Sequence, residues 1–267
     1  MSSNAHRITS FRKIYEDLNN TGLPSRPRGQ LTIELLDYQY TLAPFDRFPA
    51  FPSRKLNLDY IKAETLWYLK GDLEDLSICD HAKIWADCVT YGKLHSNYGY
   101  YIFKEGGIDY VVDCLTHDKD SRRAVITILA DDHLFLQNKD VPCTSLLAFH
   151  IRGTFLHCSV HMRSQDAVFG MGNDVPFFSI VQEMVLKYLQ RVYPDLQMGT
   201  LTVKVDSFHA YERHFDLLDK LVKEEQIYVE APRISSASEV DDMRAGKFDT
   251  VGGLFQSWLV DCYAPDA

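Results

Sequence analysis

Cys143 lies in the chain between Ser121-Arg122-Arg123 upstream and Arg163-Ser164-Gln165-Asp166 downstream, so one candidate nucleophile stands among three arginines. A cysteine attacks as its thiolate, and neighbouring positive charge is expected to lower its pKa. Arginine forks take phosphate oxygens in pairs and hold a phosphorylated substrate in register. These residue types predict nucleophilic chemistry on a nucleotide-like anion.

The elements that must position these groups follow from periodicity. Helices are expected over Phe11–Asn19, Leu58–Lys70 (with Gly71 as its C-cap), Ile108–Leu115, Val175–Val192 and Tyr211–Glu225. Strands are expected over Leu31–Leu42, Ala124–Ala130, Ser145–Ile151, Phe155–His161 and Leu201–Val205. Residues 23–30 form a loop rich in arginine and proline, and Pro44 to Pro52 is loop as well. Strands dominate the middle and helices both flanks, without regular βαβ alternation. The class is α+β, in a single domain over residues 1–267.

Composition narrows the function. A net charge of −9 argues against general nucleic-acid binding, so positive contacts to a nucleotide must be local. Cys79, Cys88, Cys114, Cys143, Cys158 and Cys262 show no CxxC pairing. The start, Met1-Ser2-Ser3-Asn4-Ala5-His6, has no apolar leader, and no run approaches a membrane span. Reduced thiols in the cytoplasm are expected, with most of them buried. His157 and His161 fall on an expected strand rather than a helix, so no metal site is expected.

Read together, several segments resemble the thymidylate synthase superfamily. Glu64-Thr65-Leu66-Trp67-Tyr68-Leu69-Lys70-Gly71-Asp72 is similar to its Glu-Leu-Leu-Trp-Phe-Leu-x-Gly-Asp helix, and Tyr98-Gly99-Tyr100 to its Tyr-Gly turn. Asp120-Ser121-Arg122-Arg123, Pro142-Cys143, Arg163-Ser164-Gln165-Asp166 and Phe208-His209-Ala210-Tyr211 follow in family order. The resemblance runs from about residue 12 to 216. It implies a twisted mixed sheet flanked by helices, with sheets packed at a homodimer interface. The implied substrates are a pyrimidine nucleoside monophosphate and 5,10-methylenetetrahydrofolate.

Carried over position by position, the resemblance implies that Cys143 adds to C6 of the pyrimidine and that Glu64 manages proton transfer near C5. Arg163, Ser164 and Arg26 would hold the 5′-phosphate, and Arg122 and Arg123 would reach the phosphate in the partner subunit. His209 and Tyr211 would bind the sugar, and Asp166 and Trp85 would place the folate.

One departure bears on the base. Thymidylate synthases carry an asparagine after the motif aspartate that reads the uracil edge; an ungapped count from Asp166 lands on Asp174. Cytosine offers an acceptor at N3 beside a donor amine, which a carboxyl group can answer. The exchange resembles the deoxycytidylate hydroxymethylase branch, and Asp174 would act on the ring during catalysis. A gapped alignment instead puts Phe178 there, which could make no such bonds. Asp174 also precedes an expected helix, where it could serve as an N-cap. Further departures are Thr144 after the cysteine, Met162 before Arg163, and a polar tail, Cys262-Tyr263-Ala264-Pro265-Asp266-Ala267, where the family closes with an apolar one. A site that admits water favours a hydroxymethyl over a methyl product.

Overall fold

In the computed structural model, which describes residues 8–248 and 253–261, the chain starts with helix α1, Phe11–Thr21. The Ser10 hydroxyl caps it by accepting from the Lys13 amide, and Phe11, Ile14, Tyr15 and Leu18 form its buried stripe. A short strand β1 (Leu23–Ser25) and a 3-10 turn (Pro27–Gly29) lead into β2, Thr32–Leu42. Helix α2, Leu58–Lys70, is capped by the Asn57 side chain and ends at Gly71, whose φ of 58° is a left-handed C-cap. Residues Ile61 to Leu69 of α2 are all buried, so this is a core helix and Glu64 goes into the interior with it.

The middle of the chain carries the short helices α3 (Ile78–His81) and α4 (Ile84–Cys88), a π-helical turn (Tyr100–Lys104) and α5 (Gly107–His117). Strands β3 (Val125–Thr127), β4 (Thr144–Arg152), β5 (Phe155–Met162) and β6 (Gln165–Asp166) follow. Helix α6 (Gly170–Leu189) and strand β7 (Gln197–Tyr211) complete the centre, and α7 (Phe215–Leu221), α8 (Ala237–Arg244) and α9 (Leu254–Val260) close the described chain.

The described residues form one seven-stranded mixed sheet in the order β1-β2-β7-β5-β4-β3, with β6 pairing β7. The β5–β7 and β6–β7 pairs are parallel and the others antiparallel. Helix α6 packs on β5 and β7, and α1 on β2, so helices flank the sheet as the sequence led one to expect. Burial alternates along β4 and β5: Leu147, Phe149, Ile151, Leu156, Cys158 and Val160 are buried, while His150, His157 and His161 on the other face are half-buried.

Several expected boundaries move. The strand expected over Ala124–Ala130 shortens to Val125–Thr127. The strand expected over Leu201–Val205 extends to Gln197–Tyr211, because β2 pairs with it from Leu42↔Leu201 to Thr32↔Tyr211. Tyr211 therefore ends a strand instead of starting a helix, and the final helix begins only at Phe215; the ladder outcompetes local helical preference. The long helix begins at Gly170 rather than Val175, so Asp174 lies inside it and is not its N-cap. Pro176 is accommodated inside the same helix, where it gives up its own amide bond to the preceding turn.

Candidate active site

Cys143 immediately precedes β4 and Arg163 immediately follows β5, so the antiparallel pairing of these strands brings them together; the Arg163 amide donates to the Cys143 carbonyl at 2.9 Å. The Arg163 side chain straps the cysteine segment. Its Nε donates to the Pro142 carbonyl at 3.0 Å, and its Nη2 donates to the Val141 carbonyl at 2.5 Å and points at Cys143 Sγ at 3.6 Å. Ser164, half-buried, follows directly.

Burial pushes the Cys143 thiol above its ordinary value, with Asp174 and Asp140 adding to the rise. Arg163 and Arg28 oppose it without prevailing. The expected lowering of the thiol pKa by arginines is thus corrected: withdrawal from water outweighs positive charge. The sulfur rests as a thiol, and the Arg163 guanidinium stands ready to stabilise the thiolate once it forms.

Two carboxyl groups lie in and beside this neighbourhood: half-buried Asp174, whose charge reaches the sulfur, and buried Glu64, whose charge Asp174 in turn influences. Glu64, 6% exposed, is pushed up to about 8 by burial and by Asp174, against the lowering influence of a hydrogen bond from Tyr60. Asp174 is pushed up to about 7 by burial and by Asp166, against a hydrogen bond from Gln165. Like charges at close range cannot both ionise cheaply, so near neutral pH the pair holds a proton.

Each carboxyl is held by a relay of side chains. The Trp85 indole N–H donates to the Tyr60 hydroxyl at 2.8 Å, and that hydroxyl donates to Glu64 Oε1 at 2.7 Å. An indole can only donate, so the Tyr60 proton must go to Glu64. On the other side, the Tyr40 hydroxyl donates to Gln165 Oε1 at 2.9 Å, and Gln165 Nε2 donates to Asp174 Oδ2 at 3.0 Å. Phe178, by contrast, is fully buried with its ring against Tyr98 and Phe177, so it is a core residue with no polar group to offer a base.

The β6–β7 pairing sets Asp166 opposite His209, and the Ala167 amide donates to the His209 carbonyl at 2.7 Å. His209 and Tyr211 sit on the same side of β7 with rings 5.1 Å apart, and Arg213 lies over the Tyr211 ring at 4.2 Å. Asp166 Oδ1 accepts from the Val168 amide, which fixes the carboxylate at the start of α6. Trp85 is half-buried and packs on Trp67 with centroids 5.3 Å apart.

An aromatic face at Trp85 lies on the Glu64 side, joined to it through Tyr60, and Asp166 lies on the Asp174 side, with one oxygen engaged by the Val168 amide. That donor set fits a pterin, which needs a stacking surface and an acceptor for its N–H groups. Among the described residues no group of three or more His, Cys, Asp or Glu is arranged to hold a metal, and no helix is long and apolar enough to cross a membrane.

The remaining arginines divide. Arg26 is exposed beside the 3-10 turn, whereas Arg28, in the left-handed region at φ 51°, is the loop arginine whose charge reaches Cys143. Arg122 and Arg123 are exposed and line a cleft of about 860 Å³ with Tyr110, Asp113, His117 and Asp120; no hydrogen bond or ion pair among the described residues ties them to Cys143. One protomer therefore does not bring them to the sulfur. Tyr60, Gln165, Tyr40 and Arg28 were not singled out from sequence. Tyr60 had a signal, one helical turn before Glu64, and so had Gln165, inside the Arg-Ser-x-Asp motif. Tyr40 had none. The polar tail, residues 262–267, lies outside the described residues.

The thymidylate synthase family model matches residues 9–252. The chain is similar to the deoxycytidylate 5-hydroxymethyltransferase of Enterobacteria phage T6, at 32% identity over 202 residues that span 72% of this chain and 80% of the relative. It is also similar to the proteins of that name from Enterobacteria phages T4 and T2, each at 31% identity over the same shares.

Proposed function

Because the chain belongs to the thymidylate synthase family, we propose that its site transfers a one-carbon unit to C5 of a cytosine nucleotide, dCMP, and releases it as a hydroxymethyl group. The observation that carries this reading is Asp174: a half-buried carboxyl held by Gln165, its pKa pushed up to about 7 by withdrawal from water, within electrostatic reach of the Cys143 sulfur and Glu64.

The Cys143 thiol gives its proton to water, Arg163 stabilises the charge on the sulfur, and the sulfur then forms its bond to C6 of the ring. Electron density displaced by that addition runs toward C5 and N3. Asp174 in its acid form donates to N3 and accepts from the exocyclic amine, so it reads cytosine and absorbs the displaced charge. Methylenetetrahydrofolate, when bound between Trp85 and Asp166, supplies carbon at the oxidation level of formaldehyde. Glu64, held by Tyr60, takes the C5 proton or activates water near it; its pKa near 8 suits a group that must both hold and release a proton around neutrality. Arg163, Ser164 and the arginines of residues 26–28 bind the 5′-phosphate, and His209 and Tyr211 bind the sugar. Arg122 and Arg123 reach the phosphate bound in the partner subunit of a homodimer.

Incubation with methylenetetrahydrofolate and dCMP, dUMP or CMP tests the reading. Tritium release from C5 of dCMP without dihydrofolate absorbance is the expected result; dihydrofolate formed with dUMP overturns it. Asp174→Ala should lower kcat/KM for dCMP by about tenfold or more relative to dUMP, since the group that answers N3 and the amine is removed. Unchanged selectivity would assign base reading to another residue.

A further inference from the structure

We propose that Gln165, itself held by Tyr40, is the positioning residue that fixes which oxygen of Asp174 carries the proton, and that this lock selects cytosine over uracil. The inference rests on the cytosine reading above and deepens it.

An aspartic acid alone is a poor discriminator. With the proton on Oδ1 it presents a donor at Oδ1 and an acceptor at Oδ2; moving the proton reverses the order. The first arrangement matches the N3 acceptor and amine donor of cytosine. The second matches the N3–H donor and O4 acceptor of uracil. The two oxygens are chemically alike, so something outside the carboxyl must break the symmetry.

Gln165 does so. Its Nε2 donates to Oδ2 at 3.0 Å, and the carbonyl oxygen of a carboxylic acid is a far better acceptor than its hydroxyl oxygen, so this bond favours the form with the acid proton on the other oxygen. The proton then favours Oδ1; the Gln165 bond to Oδ2 is the one side-chain hydrogen bond to this carboxyl among the described residues. With Oδ1 meeting N3, the uracil order is disfavoured.

The amide is held in turn. Gln165 is 2% exposed and Tyr40 1% exposed. The Tyr40 hydroxyl donates to Gln165 Oε1 at 2.9 Å, so a flipped amide would take the acceptor away from a buried hydroxyl proton and set Oε1 against Oδ2. The relay thus reaches from β2 through β6 to α6, in a site where Glu64, Asp166 and Cys143 also face Asp174.

The test compares wild type, Gln165→Met and Tyr40→Phe with dCMP and dUMP. Gln165→Met keeps the length of the side chain and removes the donor; Tyr40→Phe removes one oxygen and serves if the first variant fails to fold. In both, the ratio of kcat/KM for dCMP over dUMP should fall about tenfold or more, the usual worth of a buried hydrogen bond to an ionisable group. Near-UV circular dichroism should keep its wild-type shape, which separates lost selection from general damage. A wild type that prefers dCMP with an unchanged ratio in both variants overturns the lock. Failure of the cytosine reading looks different: the wild type itself prefers dUMP or turns over neither nucleotide. The Asp174 titration, followed by carbon NMR in the nucleotide-free protein, then decides. It should move to higher pH in both variants as the donor is lost or turned away, and an unmoved titration overturns the lock.

Discussion

At the residue scale the site is governed by where protons rest. Cys143, Glu64 and Asp174 all hold theirs more tightly than free side chains do, and in each case burial is the first cause. For Glu64 this links catalysis to stability. The folded protein binds that proton up to about pH 8, whereas the unfolded chain releases it near the ordinary value of 4.5. The folded state is therefore favoured by this group below 4.5 and progressively loses that advantage as pH rises toward 8. Glu64→Gln should raise stability at pH 8 by roughly 2–4 kcal/mol and change little at pH 4, as measured by urea unfolding at both values. Turnover should be lost in the same variant. Equal stability at pH 8 would show that Glu64 is not held neutral by its surroundings.

Tyr60→Phe probes the relay that holds this carboxyl. The Tyr60 hydrogen bond favours the charged form, so its loss should raise the Glu64 pKa and shift the pH–rate profile upward. The kcat should fall about tenfold, with nucleotide KM nearly unchanged. A profile that does not move would reduce Tyr60 to packing.

At the element scale, α2 and α6 carry the two carboxyls, and the end of α2 lies in close contact with neighbouring backbone. Gly99, in the Tyr98-Gly99-Tyr100 turn, touches the end of α2 so closely that an added Cβ would come within 1.6 Å of the Tyr68 carbonyl oxygen. Gly71, one residue past α2, meets the Gly99 carbonyl from the other side, where its own Cβ would come within 2.9 Å. Gly99→Ala should therefore cost about 3 kcal/mol or more, because backbone rather than a flexible side chain must yield. Thermal unfolding measures it, and a Tm within a few degrees of wild type would mean that the turn relaxes freely. These helices were legible in the sequence because their apolar spacing and caps are local. The start of α6 was not: residues 170–174 lack apolar periodicity, and their helical state comes from packing of the element as a whole.

At the scale of the whole molecule, Arg122 and Arg123 line an exposed cleft and have no hydrogen bond or ion pair to Cys143 among the described residues, and the proposed role for them is across a homodimer. We expect the half-buried face of β4 and β5, with His150, His157 and His161, to pack on the same face of a second copy. Mixed subunits test the sharing. Cys143→Ala protomers and Arg122→Ala/Arg123→Ala protomers, each inactive alone, should regain activity when refolded together, since the hybrid joins an intact cysteine to intact arginines. Absence of activity in hybrids isolated by dual tags would place the arginines outside the reaction.

The sequence by itself determined the parts: a thiol, its arginines, two carboxyls, their order, and the family to which that order belongs. These are legible because motif spacing and helical periodicity are local properties of the chain. The tertiary structure decided how the parts behave. It reversed the expected direction of the Cys143 pKa, moved Asp174 into a helix, favoured Arg28 over Arg26 as the loop arginine near the sulfur, and joined Tyr40 to Asp174 through Gln165. The reason is physical. Desolvation and hydrogen bonding are set by every group nearby in space, and the sheet order brings Tyr40 of β2 to Gln165 of β6, next to α6, although 125 positions separate the two residues in the chain.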